Sequence, residues 1–553
     1  MLPRLAAVLL LATAFAAPAA GAPGTIAVGV GADAPRAELA AALTQESGGR
    51  LVEDLGPLDA LVFAVPDVRA ALAAARTHEG VEYAEPVPAA SRRLAFEPND
   101  PLYPEQWYLP VVRAFSFEPW VTKPPHAPVR VAVVDSGLDG SHPDFAGRIA
   151  AAKSFVGGSA LADSFGHGTV VAGLAAAGVD DETGIAGAGV QVELLVAKVV
   201  DEKGRISVLN EARAIRWAVN NGAKVINLSL GGPRDPTNPR RDSYSALEHA
   251  AVDYATRRGV LVVAAAGNCA RFRCPEPYAS WPAALPHVLG VGALRPDGQT
   301  PSFSNRDRLH VDLAAPGTQM HSTYPAKLGA SGCTPAGYTF CAARLSDRNP
   351  RGTSFAAPLV AGAAASLLGE RGLAGPGARL HASQVRTILE RSAADVPPLG
   401  RDKRSGFGRL DVESALGRLG RPLPPRDRYE PNDDAGARSF LLRGGAIRIR
   451  ATVDPFDDRR DVYRIGLRKG QRVEIHLNGP HRGNSNLFLW RPGTPTLDTG
   501  ARALRANLLA KSTSPSWTER IVVRARQRGN HFVEVRLPRG KAGQYTLTIT
   551  KSP

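Results

Sequence analysis

The chain has 553 residues, a length that suggests two to four domains. Its hydrophobic content of 44% is enough to build real cores, and it has neither a low-complexity tract nor an internal repeat, so disordered and repeat proteins are excluded. The net charge of +15 is uneven: residues 421–553 carry 26 basic and 12 acidic groups, whereas residues 1–420 carry 41 and 40. This change in net charge along the chain indicates a separate, basic C-terminal module.

Residues 1–22 are predicted to be a secretory signal peptide. An early basic residue, Arg4, precedes an apolar run from Leu5 to Ala17, and small residues follow. The run is too short to span a bilayer comfortably, although an uncleaved anchor is the alternative. We therefore expect a soluble, exported protein, either secreted or periplasmic.

Residues 24–90 are predicted to form a small α/β domain. Three short apolar strands, TIAVGV, ALVFAVP and VEYAEP, alternate with the helical stretches AELAAALTQE and DVRAALAAARTHEG. The segment that follows contains several prolines and the dibasic pair Arg92 and Arg93, which is typical of a linker.

Residues 99–418 are predicted to form a larger α/β domain. The runs VRVAVVDS, KVINLSLGG, GVLVVAAAGN and HVLGVGAL lack polar alternation, so these strands are expected to be buried on both faces. Helical patterns lie between them. The fold class is therefore α/β, with a parallel sheet covered by helices on both faces. Sites in such sheets form at the carboxyl ends of the strands.

Residues 427–553 follow a Pro-rich linker and are predicted to form an all-β sandwich or jelly roll. Short alternating strands are separated there by Gly, Pro and Asn. The basic charge suits either simple solubility or attachment to anionic envelope polymers or lipid headgroups. Export makes nucleic acid an unexpected partner, and we expect a monomer.

The four cysteines are expected to form disulfides, because an exported protein meets an oxidising compartment. Four cysteines allow three pairings. We favour the two local pairs, Cys269–Cys274 and Cys333–Cys341. No C-x-x-C motif or nearby His pair accompanies them, so the spacing does not match a zinc site.

Three residues that suit nucleophilic catalysis lie in stretches rich in glycine and other small residues. Asp135 lies in VVDSGLDGSHPDF, His167 in FGHGTVVAG and Ser354 in GTSFAAPLVAG. Each has an ordinary structural interpretation, and Ser354 could cap an apolar helix that has Pro358 in its first turn. Together the three supply the acid, base and hydroxyl of an activated nucleophile, which indicates an enzyme.

These motifs make the stretch from about Asn99 to Leu416 resemble the subtilisin-like serine proteases, or subtilases, which share the order Asp, His, Ser. Ser354 does not lie in the G-x-S-x-G motif of α/β-hydrolases. The resemblance implies that Ser354 attacks a peptide carbonyl, His167 takes its proton and Asp135 orients the imidazole. It further implies that the Asn268 side chain and the Ser354 N–H hold the oxyanion.

The same resemblance implies a substrate-binding strand and a calcium site. The main chain through Ser229, Leu230 and Gly231 in NLSLGG would pair with the substrate. No cofactor is required for catalysis. Structural calcium would be bound by Asp144, with Asp180 and Asp181 in the loop GVDDETG completing the site.

The flanking segments resemble two further families. HEGVEYAEPVPAA resembles the inhibitory propeptide of subtilases, which implies self-inhibition and removal between about Pro86 and Asn99; a permanent N-terminal domain is the alternative. YEPNDD, DVYRIGLRKGQRVEIHL and GQYTLTIT resemble the bacterial pre-peptidase C-terminal domain, although NSNLFLW lacks acidic residues that this family more often has.

The predicted function is that of a secreted serine endopeptidase, made as a self-inhibited zymogen, that hydrolyses proteins through an acyl-enzyme. The alternative is a catalytically silent binding protein whose C-terminal domain docks on an anionic surface.

Overall fold

Two compact units divide the chain in the computed structural model, Met1–Arg93 and Leu94–Pro553. The structure describes residues 23–31, 34–87, 96–116, 128–235, 238, 240–268, 278–329, 337–339, 350–372, 380–419, 421, 427–454, 458–480, 483–494, 497, 506–539 and 543–553. The predicted signal peptide and all four cysteines lie outside the described residues. No helix in the described part combines the length and apolarity needed to cross a membrane.

The N-terminal unit is a four-stranded antiparallel sheet with two helices, in the strand order β2-β3-β1-β4. Buried Ile26, Val28, Leu43 and Phe63 form part of its core. The sequence did not predict β2, because its side chains are almost all exposed and give no apolar alternation. The elements are β1 Gly24–Val30, β2 Arg50–Leu55, β3 Ala60–Val65, β4 Val81–Val87 and the helices Arg36–Ser47 and Val68–Ala75.

The second unit begins with an α/β region built on a seven-stranded parallel sheet, in the order β11-β10-β9-β8-β5-β7-β6. The four predicted strands are β5, β8, β9 and β10. Strands β6, β7 and β11 were missed; β6 is largely exposed at the sheet edge, and β11 is very short. The bounds are β5 Val129–Asp135, β6 Ile149–Ser154, β7 Val192–Lys198, β8 Val225–Leu228, β9 Leu261–Ala265, β10 Val288–Leu294 and β11 Leu313–Pro316.

Helices cover both faces of this sheet, which confirms the predicted fold class. Successive residues of β5 point to opposite faces: Val131 and Val133 join one core cluster, whereas Ala132 and Val134 join the other. The first cluster includes helices His167–Ala176, Thr353–Gly372, Ala382–Ser392 and Val412–Gly417, with the short helix Tyr108–Val111. The second includes helices Val208–Asn220 and Ala246–Arg257.

The C-terminal β region is a sandwich of two sheets, in the orders β12-β14-β19-β16-β17 and β13-β20-β15-β18. All described pairs are antiparallel except β12 with β14. Buried side chains from both sheets, such as Ile465, Ile475, Val533 and Leu547, form one core between them. The strands are β12 Phe440–Leu442, β13 Ala446–Val453, β14 Arg460–Leu467, β15 Arg472–Asn478, β16 Asn484–Trp490, β17 Leu508–Ser512, β18 Thr518–Arg524, β19 Gly529–Arg539 and β20 Gly543–Ser552.

Candidate active site

The seven predicted site residues meet at the carboxyl edge of the parallel sheet. Asp135 is the last residue of β5, and the chain leaving β8 and β9 supplies four more. Parallel strands place such residues at one edge, as the sequence predicts. A single cleft of about 890 Å³ is lined by Asp135, His167, Ser229, Leu230, Gly231, Asn268 and Ser354.

A hydrogen bond joins the predicted acid to the predicted base. His167 Nδ1 lies 2.8 Å from Asp135 Oδ1, and the Ser136 amide donates to the same oxygen at 2.7 Å. Asp135 is buried, whereas about a third of the His167 side chain is exposed. This bond engages Nδ1 and leaves Nε2 for a partner in the cleft.

Opposing effects act on the protonation of His167. Burial lowers its pKa, but the charge and hydrogen bond of Asp135, with the charge of Asp163, outweigh burial and raise the pKa above its ordinary value. The imidazolium form is therefore stabilised, which suits a group that must take up a proton during a reaction.

The position of His167 depends on Asp163, a residue that was not predicted from the sequence. Buried Asp163 accepts from the Gly166 amide at 2.9 Å, and from both the amide and hydroxyl of Thr169 at 3.0 and 2.8 Å. It thus satisfies free N–H groups at the start of the His167 helix. Ser136 donates to Asp163 at 2.9 Å and ties this helix start to the end of β5. An Asp shortly before a helix is a capping signal that could have been found in the sequence.

Ser354 is the second residue of the helix Thr353–Gly372, so its backbone N–H lies in the first turn, where amides have no acceptor within the helix. Pro358 lies in the second turn of this helix, not in the first as predicted. Because proline has no N–H, it cannot bond to the carbonyl of Ser354 four residues earlier. The Ser229 hydroxyl donates to that carbonyl instead, at 2.7 Å, and so holds the first turn beside the cleft.

The orientation of the Asn268 side chain is fixed by Thr353. The Thr353 amide donates to Asn268 Oδ1 at 3.0 Å, and its hydroxyl lies 3.1 Å from the same atom. A backbone N–H can only donate, so Oδ1 is the atom that accepts the hydrogen bond from Thr353. The amide NH2 group at Nδ2 is left to donate to a ligand. Asn305 supports this loop, because its Nδ2 donates to the carbonyls of Ala266 and Tyr278 at 3.1 and 2.7 Å.

The main chain of residues 229–231 forms part of the cleft wall. Sheet pairing of β8 ends at Leu228, which pairs with Ala264, and Gly232 next pairs with Trp281. The intervening residues lie between these two pairings. Gly231 must remain without a side chain, since a Cβ there would lie 2.2 Å from the Trp281 carbonyl oxygen.

Comparison with known proteins identifies the family. The subtilase family profile matches residues 127–408. Subtilisin DY from Bacillus licheniformis is 36% identical over 290 residues, covering 52% of this chain and 91% of the relative. Thermitase from Thermoactinomyces vulgaris is 34% identical over 314 residues, covering 57% and 94%.

The chain belongs to the subtilase family. This subtilase is a serine endopeptidase, and subtilases need no catalytic cofactor. Residues 16–86 match the fervidolysin N-terminal prodomain, so the enzyme is made as a prodomain-bearing zymogen. Among solved structures, a lanthipeptide protease is 27% identical with a TM-score of 0.49, covering 59% of this chain and all of that one.

Several carboxylates in this subtilase lie around Asp144, the residue expected to bind calcium. Asp144 is buried beside Asp181 and Asp100, and burial followed by the charges of these neighbours raises the pKa of Asp144 to about 7, although two hydrogen bonds oppose the shift. Asp100 accepts from the amides of Asp180 and Asp181 at 2.9 and 3.4 Å. The Asp180 carboxylate instead accepts from the Asn99 amide at 3.2 Å. Asp100 was not predicted because it lies about 80 residues before Asp180 and Asp181 in the sequence.

Proposed function

We propose that this subtilase hydrolyses proteins with Asp135, His167 and Ser354 as its triad and with Asn268 in its oxyanion hole. The proposal rests on one observation. Asp135 and His167 are joined by a hydrogen bond in the same cleft that holds Ser354 and the side-chain amide NH2 of Asn268.

The first chemical step forms an acyl-enzyme. Ser354 Oγ attacks the peptide carbonyl carbon while His167 Nε2 takes the hydroxyl proton. The tetrahedral intermediate collapses as His167 returns that proton to the leaving amine, which breaks the C–N bond. Water then attacks the ester through the same base, releasing the acid and restoring Ser354. Asp135 keeps Nδ1 protonated and stabilises the imidazolium.

The negative charge of the intermediate requires donors aimed at the former carbonyl oxygen. Asn268 Nδ2 is suited to this role because Thr353 holds the other end of the amide. The Ser354 N–H is the second donor, and the helix N-terminus adds a favourable dipole. The main chain of Ser229, Leu230 and Gly231 would bind the substrate as an added strand, since their backbone lies on the cleft wall beyond the pairing of β8.

Cleavage of a denatured protein tests this function. We expect new amino termini at internal peptide bonds, and kcat/KM that rises with pH as His167 loses its proton. Because the pKa of His167 is raised, the midpoint should lie above about 6.5. Release of terminal residues only, or a midpoint well below that value, would contradict the proposal.

We further propose that Asp144, Asp181 and Asp100 contribute to a structural calcium site in the α/β region. The donors are hard oxygen atoms, which calcium prefers, and a cation would offset the burial and the neighbouring charges that together raise the pKa of Asp144. The site takes no part in the chemical steps.

The calcium proposal predicts a difference in thermal stability. Calcium at about 100 times its Kd stabilises a single site by about 2.7 kcal/mol, so it should raise the Tm of the Ser354→Ala protein. Asp181→Asn should reduce that increase, and Asp297→Asn, which alters an exposed carboxylate paired with Arg295, should not. An equal calcium-induced rise in Tm in the Ser354→Ala protein and in its Asp181→Asn and Asp297→Asn variants would contradict the proposal.

We also propose that the enzyme is exported and attaches to an anionic surface. The outer face of β13 exposes Arg448 and Arg450, and β18 exposes Arg520 and Arg524, in a region with excess positive charge. Binding to phosphatidylglycerol vesicles should be strong at low salt and should fall in the Arg448→Glu Arg450→Glu variant. Binding that is the same at low and high salt, and the same in the parent and the double variant, would exclude electrostatic attachment.

A further inference from the structure

A loop that follows the substrate-binding main chain brings two arginines to the cleft. We call residues 233–243 the arginine loop, and the structure describes them apart from 236, 237 and 239. Arg240 and Arg241 of this loop line the same cleft as Ser354. Two cationic side chains beside a nucleophile raise the question of what they bind.

The two ends of the arginine loop are fastened to the cleft wall. The Ser243 amide and hydroxyl donate to the Pro233 carbonyl at 2.9 and 3.0 Å and so close the loop. The Asp242 carboxylate accepts from the Trp281 indole at 2.8 Å and from the Asp235 amide at 3.3 Å. Trp281 itself pairs with the end of the wall, so the loop and the wall are held together.

A third arginine of the loop has a structural role. Arg234 lies 3.1 Å from Asp307, and their side chains are only 13% and 8% exposed. The Arg234 guanidinium also lies over the rings of Tyr278 and Trp281, at 5.7 and 5.5 Å from their centroids. The charge of Arg234 is therefore satisfied within the protein.

Arg240 and Arg241 are not satisfied in this way. Both are exposed, and the closest carboxylate to Arg241 is that of Asp235, at the long distance of 3.7 Å. No described carboxylate lies within ion-pair distance of the Arg240 guanidinium; only its main-chain N–H is bonded, to Asn238 Oδ1 at 3.1 Å. Both guanidinium groups can therefore bind a ligand in the cleft.

The cleft lining offers no other anion to compete for them. Among the described residues of the lining, the only charged or imidazole side chains are Asp135, His167, Arg240 and Arg241. Asp135 is buried and already bonded to His167 and to the Ser136 amide. Away from this pair the cleft is positively charged, which favours a negatively charged ligand.

The arginine loop lies at the end of the wall that is distant from the nucleophile. Ser229 bonds to the Ser354 carbonyl, and the wall continues from there through Gly231 to Pro233. Four steps of an extended strand span about 13 Å. A substrate strand that pairs antiparallel, the commoner arrangement, runs towards Ser354 and places residues before the scissile bond beside this loop.

We propose that Arg240 and Arg241 select substrates with acidic side chains about three to five residues before the scissile bond. The inference rests on the proposed protease function and adds a preference for acidic segments of proteins. Arginine forms paired N–H···O bonds with carboxylates, and Asp and Glu are ionised near neutral pH. The two arginines bind substrate and take no part in the chemical steps.

The expected preference is moderate because both arginines are exposed. Two exposed ion pairs should raise kcat/KM for an acidic substrate by roughly three- to tenfold at low ionic strength. The gain should appear mainly as a lower KM, since the contact is the same in the bound substrate and the transition state. Added salt should reduce it.

A pair of internally quenched peptides tests the preference. They are identical except that one carries Glu and the other Gln at the third, fourth and fifth positions before the scissile bond. Mass spectrometry verifies that both are cut at the same bond, and the ratio of their kcat/KM values is measured in each protein. Incomplete folding of a variant cancels in this ratio, because both peptides meet the same enzyme.

We expect the parent to favour the Glu peptide. Arg240→Gln Arg241→Gln should bring the ratio close to one, and Arg240→Glu Arg241→Glu should reverse it. Arg213→Glu Arg216→Glu is the matched control, because it makes the same change in net charge at exposed positions of the helix Val208–Asn220 that do not line the cleft. The control should keep the ratio of the parent.

Two results would overturn the proposal. One is a ratio near one in the parent at low salt, and the other is a preference for Glu that Arg240→Glu Arg241→Glu leaves unchanged. Hydrolysis of the Gln peptide by the parent reports on the protease function separately. Cleavage of both peptides with equal efficiency would therefore reject the acidic preference alone, whereas cleavage of neither would reject the proposed function itself.

Discussion

Ser354→Ala is expected to lower kcat on protein substrates by about 10⁶-fold, the order of magnitude for removing the nucleophile of such a triad. The acyl-enzyme cannot form without Oγ, so only binding and the oxyanion donors remain. Self-cleavage should also stop, so the variant should accumulate with its prodomain attached. A peptide assay and an intact-mass measurement of the product check both effects.

Ser366→Ala is the matched control, because it makes the same change in the same helix away from the cleft. The Ser366 hydroxyl accepts from the Val190 amide at 3.0 Å, so this variant should lose stability and keep its kcat. By contrast, Ser354→Ala should change the free energy of unfolding by no more than about 0.5 kcal/mol. Activity of Ser354→Ala within about tenfold of the parent would exclude a nucleophilic role.

Asn268→Ala is expected to lower kcat by about 10²- to 10³-fold, with a much smaller change in KM, because the Nδ2 donor acts on charge that develops in the transition state. The loss should be the same for several peptide sequences. Steady-state kinetics on matched substrates separate kcat from KM.

Asn268→Asp separates donation from a structural role. It keeps an oxygen that can accept hydrogen bonds from the Thr353 amide and hydroxyl, but it removes the NH2 group that would donate to the oxyanion. We expect it to be at least as impaired as Asn268→Ala. Turnover near that of the parent would mean that Asn268 only supports Thr353, and the second oxyanion donor would have to be sought elsewhere.

Local patterns sufficed to predict the framework of the fold. Strands such as β5 and β9 are buried on both faces, so their continuous apolar runs are distinctive. Exposed β2 and β6 carry no such signal. The helix start at Ser354 was expected from its sequence, but Pro358 was placed one turn too early.

The supporting contacts of the site were harder to predict because they join distant segments. Asn305 supports the loop before Asn268, and Ser229 bonds to a carbonyl 125 residues further along the chain. The carboxylates near the start of the C-terminal β region illustrate the same limit. YEPNDD was recognised as the start of a domain, but Asp458 and Asp461 reach it only through folding of the sandwich, and His287 comes from the other region.

Active-site labelling with a fluorophosphonate tests the convergence of the three side chains most directly. The reagent needs a serine activated by a neighbouring base, and peptide mapping by mass spectrometry locates the adduct. We predict a single adduct on Ser354, lost in Ser354→Ala and strongly slowed in His167→Ala. Absence of labelling, or an adduct on another serine with His167→Ala unaffected, would contradict the account and favour a catalytically silent binding protein.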